Sequence, residues 1–312
     1  MQARAACQNL CMTRSPKRLL VAVNPSASFG RHREVGATVV ARLIEAGHEV
    51  VLLQEANFEL LRLETEQAVA RGTDALIVVG GDGMVSLAVN IVAGTGVPFG
   101  VVAAGTGNDL ARGLGLPFED PLAGLEVLLE ALEREPRTID AGVIRRGDSA
   151  PVWFAGVVSA GFDALVNERA NRMIRPRGPS RYTIALVREL ATFRPRSYTI
   201  TIDGVRREQK AMLVSVANGS SIGGGMKVVP HADLSDGRLD VFIVHPISRA
   251  RLIAVFPKVF RGEHADHPAV EFVSAQRVAL DAAEVAAYAD GERVGALPIE
   301  VEIVPGALRV FV

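Results

Sequence analysis

The chain has 312 residues, 34 Lys+Arg against 35 Asp+Glu, and 49% hydrophobic residues with 5% aromatics. That length accommodates about two domains, each able to bury its own core. A formal net charge of -1 excludes a nucleic-acid binder driven by overall basicity, and two cysteines exclude a disulfide scaffold. The apolar content excludes disorder, and the scarcity of aromatic rings argues against stacking platforms for single-stranded nucleic acid.

Residues 1–17 read as a flexible tail with no apolar run long enough for a secretory signal. It holds both cysteines, Cys7 and Cys11, whose spacing lacks a second ligand pair for zinc. From there strand and helix alternate. Leu19–Val23 is a short apolar run suited to a strand buried on both faces. Arg33–Ala46 carries apolar residues at helical spacing, with Gly47 as its stop. Glu49–Leu53, Ala75–Val79 and Phe99–Ala103 read as strands. Phe58–Arg71, Met84–Val92 and Pro121–Leu132 read as helices, the last with proline in its first turn. This alternation predicts βαβ units on a parallel sheet. The uncharged run Gly83–Asn108 has bilayer length but contains six glycines and Pro98. It reads as helix, turn, strand and loop, so any membrane contact is expected to be peripheral and the chain cytoplasmic.

The pattern changes after about Ile139. Ser197–Ile202, Met212–Ala217, Leu239–Val244, Val278–Leu280, Ile299–Val304 and Leu308–Val312 read as short strands. Asp203-Gly204, Asp290-Gly291 and Pro305-Gly306 read as turns between strands. The predicted fold class is therefore α/β plus β. An N-terminal parallel-sheet α/β nucleotide-binding domain, residues 18–140, precedes an antiparallel β-sandwich, residues 141–302. The strand at about 303–312 is a candidate to return to the first domain.

Three of the four N-terminal strands end in glycine-rich or Asn-Pro turns. These are Asn24-Pro25-Ser26-Ala27-Ser28 with Gly30, Gly80-Gly81-Asp82-Gly83, and Gly105-Thr106-Gly107-Asn108-Asp109. Loops beyond the carboxyl ends of parallel strands form the ligand crevice. Glycines there let backbone N–H groups approach a phosphate, and the next helix N-terminus adds a favourable field. Asp82 and Asp109 sit at equivalent ends of successive strands, and two carboxylates at a phosphate site call for a cation such as Mg²⁺. No Walker A sequence and no G-x-G-x-x-G after the first strand is present, which disfavours the P-loop and dinucleotide folds.

Taken together, these turns resemble the catalytic domain of bacterial diacylglycerol kinase-like lipid kinases. The resemblance continues through Leu110-Ala111-Arg112, Asp140-Ala141-Gly142, Gly161-Phe162-Asp163-Ala164, Asn218 with Gly223-Gly224-Gly225-Met226, Asp236-Gly237-Arg238-Leu239-Asp240 and Asp290-Gly291-Glu292. It implies an ATP- and Mg²⁺-dependent transfer of phosphate to the hydroxyl of diacylglycerol or a related lipid, in a cleft between two domains. It implies that Asn24, Pro25, Ser26, Ala27, Ser28, Gly80, Gly81, Asp82, Gly83 and Met84 hold ATP phosphates, with Thr106 and Asn108 beside them. Asp82, Asp109 and Asp140 would organise metal, and Asp290 or Glu292 would take the proton from the lipid hydroxyl. A structural Mg²⁺ would sit at Asp233, Asp236 and Arg238. Met84 stands where the family commonly has Thr, and the stretch from Gln54 lacks a Thr often seen there.

Two other readings compete. A soluble-substrate kinase of the NAD kinase type shares Gly80-Gly81-Asp82-Gly83, but Gly105 to Asp109 fits the lipid kinases better. A catalytically weak lipid-binding protein on the same scaffold is disfavoured by the intact carboxylates. Arg169 to Arg196 holds eight arginines and one acid, a candidate contact for an anionic bilayer surface or simply a solvated face. His264-Ala265-Asp266-His267 lacks diagnostic metal spacing. Trp153 and Phe154 are expected in the core of the second domain. Phe256, Val259 and Phe260 suit helix packing or an acyl pocket. Edge-strand pairing allows a homodimer without requiring one.

Overall fold

The computed structural model describes residues 16–24, 34–161 and 194–312. Four strands run parallel in the order β2-β1-β3-β4: β1 (Arg18–Val23), β2 (Glu49–Gln54), β3 (Ala75–Gly80) and β4 (Phe99–Ala103). Side chains alternate across a strand, so β1 feeds two cores at once. Leu19, Val21 and Val23 pack with Val39 and Leu43 of α1 (Val35–Glu45) and with Leu125 and Leu128 of α5 (Pro121–Ala131). Leu20 and Ala22 pack with Leu61 of α2 (Phe58–Ala70) and with α3 (Asp82–Val92) on the other face. Asn57 caps α2 through the N–H groups of Glu59 and Leu60, and Asp120 caps α5 ahead of Pro121. β1 has β2 on one side and β3 on the other, so the strand order reverses there. The turns after β1 and β3 flank that reversal, where open α/β sheets open a crevice.

Apolar spacing places the start of the third helix at Met84, but α3 begins at Asp82 because Gly81 takes an extended conformation and serves as its N-cap. The run Gly83–Asn108 crosses α3, β4 and the second glycine turn. No helix among the described residues is long and apolar enough to cross a membrane.

The first sheet does not stop at β4. β16 (Ile299–Val310) runs parallel to it at Val310–Phe99 and antiparallel to β5 (Arg137–Arg145) and β13 (Arg277–Asp281). Beyond β13 lie β8 (Arg196–Ile202) and β9 (Val205–Ala211), and β6 (Val152–Phe154) pairs with β5. This sheet has ten strands and spans both halves. The boundary expected near Asp140 falls inside β5.

A second, wholly antiparallel sheet has the order β12-β11-β10-β7-β14-β15: β12 (Val270–Ala275), β11 (Leu239–Val244), β10 (Leu213–Ala217), β7 (Val157–Ala160), β14 (Ala286–Ala289) and β15 (Glu292–Ala296). Its inner face meets the far half of the first sheet in one core, with Val158, Val214 and Val241 against Ile200, Val278 and Val301.

Two expectations are corrected. Pro305-Gly306 does not divide two strands; β16 runs through it with a bulge between Val304 and Leu308. Gly306 sits at φ 64°, and its N–H turns to Asp140 Oδ1 instead of a ladder partner. Trp153 is not in the sandwich core, which takes only Phe154. Asn90 of α3 holds both the N–H and the carbonyl of Trp153, and the indole packs on the first domain.

A Cβ on Gly142 would overlap the ring of the fully buried Phe154. Gly142→Ala is therefore expected to cost about 1–3 kcal/mol through overpacking. Urea unfolding monitored by far-UV circular dichroism checks this; an unchanged midpoint would show that the seam has slack.

Candidate active site

The two glycine turns touch. A Cβ on Gly81 would lie 2.9 Å from the Gly105 Cα, and one on Gly105 would overlap Gly81 in return, so only glycine fits either position. Asn108, in the left-handed conformation at φ 55° and 4% exposed, locks the second turn. Its Oδ1 accepts from the Gly105 N–H, and its Nδ2 donates to the Gly105 and Phe118 carbonyls. The Asn108 side chain thus shapes the loop from within. Met84 is 3% exposed and belongs to the core beneath α3. What this segment offers a ligand is backbone: the N–H groups of Asp82 and Gly83, in the first turn of α3, have no acceptor among the described residues. Thr106 is exposed on the neighbouring turn and Asn24 is half-buried at the end of β1. Pro25, Ser26, Ala27 and Ser28 lie outside the described residues.

Three carboxylates meet around these turns. Asp82 accepts from the Asn108 N–H at 3.0 Å and the Asp109 N–H at 2.8 Å. Asp109 opens the short helix α4 (Asp109–Gly113) and accepts from the Gly224 N–H at 2.9 Å and the Gly225 N–H at 2.8 Å. Asp290 lies in the β14–β15 turn, and its carboxylate accepts from the N–H groups of Ala155, Gly156 and Val157 at 2.9 to 3.3 Å. Glu292 follows at the start of β15, exposed, with Oε1 3.5 Å from where a Cβ on Gly83 would stand.

The charges feel one another. Burial, then the negative charge of Asp109, pushes the Asp82 carboxyl up to about 6, against the two N–H bonds it accepts. Burial also pushes Asp290 above the ordinary carboxylate range, overriding its N–H bonds, with Asp109 adding to the effect. Asp140 sends its carboxylate elsewhere. Its Oδ2 accepts from the Gly237 N–H at 2.7 Å and its Oδ1 from the Gly306 N–H at 2.8 Å, tying β5 to two loops. Asp233 and Asp236 are exposed and cap their own turns through Ser235 and the Arg238 N–H. Arg238 donates to Ser274. Among the described residues no three Asp, Glu, His or Cys side chains converge as a cation cage.

Two further features flank the carboxylates. Arg112 stacks 3.7 Å from the Phe118 ring centroid and packs against Gly225, bracing the loop that holds Asp109. Behind the acidic cluster lies an apolar cavity of about 80 Å³. Ser159 and Ala160 of β7, Ile222 and Met226, and Phe242 of β11 line it, with Phe256 and Val259 across from the sheet. Phe260 does not line it and is 47% exposed. His264 is buried at its edge with Nε2 on the Val228 carbonyl, the bond of a packed histidine.

Residues 18–144 match the Diacylglycerol kinase catalytic domain family, and residues 156–312 match the YegS C-terminal NAD kinase beta sandwich-like domain. A diacylglycerol kinase of Mycobacterium tuberculosis is 38% identical over 289 residues, covering 92% of this chain and 93% of its own. One from Bacillus subtilis is 28% identical over 288 residues, covering 91% and 92%. The crystal structure of a diacylglycerol kinase from Bacillus anthracis str. Sterne has the same fold, at a TM-score of 0.71 and 22% identity over 95% of this chain and 96% of that one.

Asp140→Asn separates a clamp from a reacting group. It is expected to lower stability by about 1 kcal/mol, since one of two partly buried N–H groups loses its acceptor, while kcat of the folded fraction stays near the parent value. Thermal melts paired with assays well below the melting point check this; a collapse of kcat at unchanged stability would return Asp140 to the reaction.

Proposed function

The chain belongs to the diacylglycerol kinase family and is a kinase, and from that premise we propose that it transfers the γ-phosphoryl group of ATP, with Mg²⁺, to the free hydroxyl of diacylglycerol or a related lipid. The observation behind the lipid acceptor is that the acidic cluster and the apolar cavity share their supports. β7 and the residues before it give N–H groups to Asp290 at Ala155 to Val157 and cavity wall at Ser159 and Ala160. The loop at Ile222 to Met226 gives N–H groups to Asp109 at its middle and cavity wall at its ends. A molecule with a hydroxyl at one end and a hydrocarbon body suits that pairing.

The residues fit a triphosphate. The Asp82 and Gly83 N–H groups and the Gly81–Gly105 contact leave backbone, without side chains, facing the crevice. ATP supplies the phosphoryl group and Mg²⁺ would neutralise its developing charge, held by phosphate oxygens with Asp82 or Asp109 as carboxylate ligand. Asp290 takes the proton from the lipid hydroxyl. Its Oδ2 accepts one short bond, from Ala155 at 2.9 Å, and a longer one from Gly156 at 3.3 Å, which leaves capacity for a hydroxyl. Its proton affinity, raised by burial, suits it to that task. The freed oxygen attacks γ-phosphorus in line, ADP leaves, and the Asp290 proton passes to solvent. Glu292, exposed above Gly83, orients the hydroxyl.

Labelled phosphate transfer to detergent-dispersed lipids, with NAD as the soluble control, tests the reading. Phosphate is expected in diacylglycerol or one relative, with kcat of Asp290→Asn reduced by roughly 10²-fold or more. Labelled NADP instead would sink the lipid acceptor. The pH profile gives a separate check. Asp82 must be ionised to act as a ligand, so kcat/KM is expected to fall as pH drops through about 6. A profile flat to well below that value would contradict the role.

A further inference from the structure

α6 (Arg249–Val255) and the 3-10 turn Phe256–Arg261 form the outer wall of the apolar cavity. Leu252, Val255, Phe256 and Val259 face it, while Ile253 and Phe260 stand 49% and 47% exposed. Between Arg249 and Gly262 the chain has four bases, Arg249, Arg251, Lys258 and Arg261, and no acid. All four are exposed. Arg261 is paired with Glu263 at 2.7 Å, whereas Arg249, Arg251 and Lys258 have no carboxylate partner among the described residues. Arg134 and Arg277, also exposed, are matched with Glu130 and Glu302. In a chain of net charge -1, this cap concentrates unmatched positive charge around exposed apolar side chains.

We propose that the α6 cap is the surface by which the protein docks on an anionic lipid bilayer. The inference rests on the lipid-acceptor reading only for its purpose: docking there sets the cavity wall against the membrane, and an acceptor lipid reaches the cavity without crossing water. The surface chemistry stands by itself. Ile253 and Phe260 enter the boundary between headgroups and acyl chains, and the unpaired bases meet lipid phosphates. Each base near such a surface strengthens binding about fivefold. A second copy of the chain is the poorer occupant, because a two-fold contact would set the same unpaired bases against one another. The arginine-rich segment from Arg169 falls mostly outside the described residues, at 162–193, and the α6 cap does not depend on it.

The test is sedimentation of the full chain with vesicles of phosphatidylcholine alone or with phosphatidylglycerol added, in the absence of ATP. The parent is expected to bind only the anionic vesicles and to release as salt rises. Combined Arg249→Ser, Arg251→Ser and Lys258→Ser changes are expected to weaken binding roughly 100-fold, and the matching Arg249→Lys and Arg251→Lys changes to keep it. Phe260→Ser is expected to weaken it roughly tenfold. All variants should phosphorylate micelle-dispersed acceptor as the parent does. Serine variants that bind anionic vesicles like the parent would overturn the proposal. So would a parent that ignores those vesicles, or a dimer that Phe260→Ser splits while vesicle binding persists. A parent that docks by charge yet phosphorylates no lipid would remove the lipid-acceptor reading and leave the docking surface in place.

Discussion

Negative charge gathered in one place governs this structure. Asp109 raises the proton affinity of both Asp82 and Asp290, and Asp290 adds to that of Asp82. Left unsupported in a partly dry cleft, such carboxylates would protonate or be driven apart. The chain answers with backbone N–H groups from whichever segment is nearest: the second glycine turn for Asp82, residues 224–225 for Asp109, residues 155–157 for Asp290. Every one of those bonds joins segments far apart in sequence. The Asp109 bonds to Gly224 and Gly225 also tie the first half of the chain to the second.

That economy explains the glycines better than flexibility does. Gly81 and Gly105 are there because two chains meet without room for a side chain. A Cβ on Gly107 would overlap the Asp82 carboxylate, and one on Gly156 would stand 2.5 Å from Asp290 Oδ1. Each glycine allows a carboxylate to come within bonding range of an amide. The same proximity sets a cost, since an ionised cluster of this kind weakens the folded state as its protons leave. Asp82 binds its proton more tightly folded than unfolded, so its contribution to stability declines as pH rises from the ordinary carboxylate range through about 6. The site is held at some expense to stability, as reactive sites commonly are.

Much of this was legible in the chain before any coordinates. β1 is apolar from Leu19 to Val23 because both its faces are covered, and α1 and α2 carry one-sided apolar spacing. The glycine turns announce themselves because glycine has few other reasons to recur at strand ends. Other features were hidden for a physical reason. A backbone N–H has no residue signature, so nothing in Ala155-Gly156-Val157 marks it as the cradle of Asp290. Pro305-Gly306 has the composition of a turn, yet β5 pairs with β16 before it at Val304 and after it at Leu308, which carries the strand through. Trp153 precedes Phe154 in sequence but faces the opposite way across the pleat, toward Asn90. The cavity is assembled from β7, β10, β11 and the α6 cap, and no window along the chain contains it.

β16 also bears on how the molecule comes into being. Val310 pairs with Phe99 across 211 residues of chain, so β4 emerges from the ribosome long before the strand that meets its free edge at Phe99. At about 5–20 residues per second, that edge waits on the order of 10–40 seconds. During that interval a fully apolar strand lies open to pairing with another nascent chain. A nascent first half thus has a defined window in which holdase chaperones matter, and the window closes when β16 zips into place.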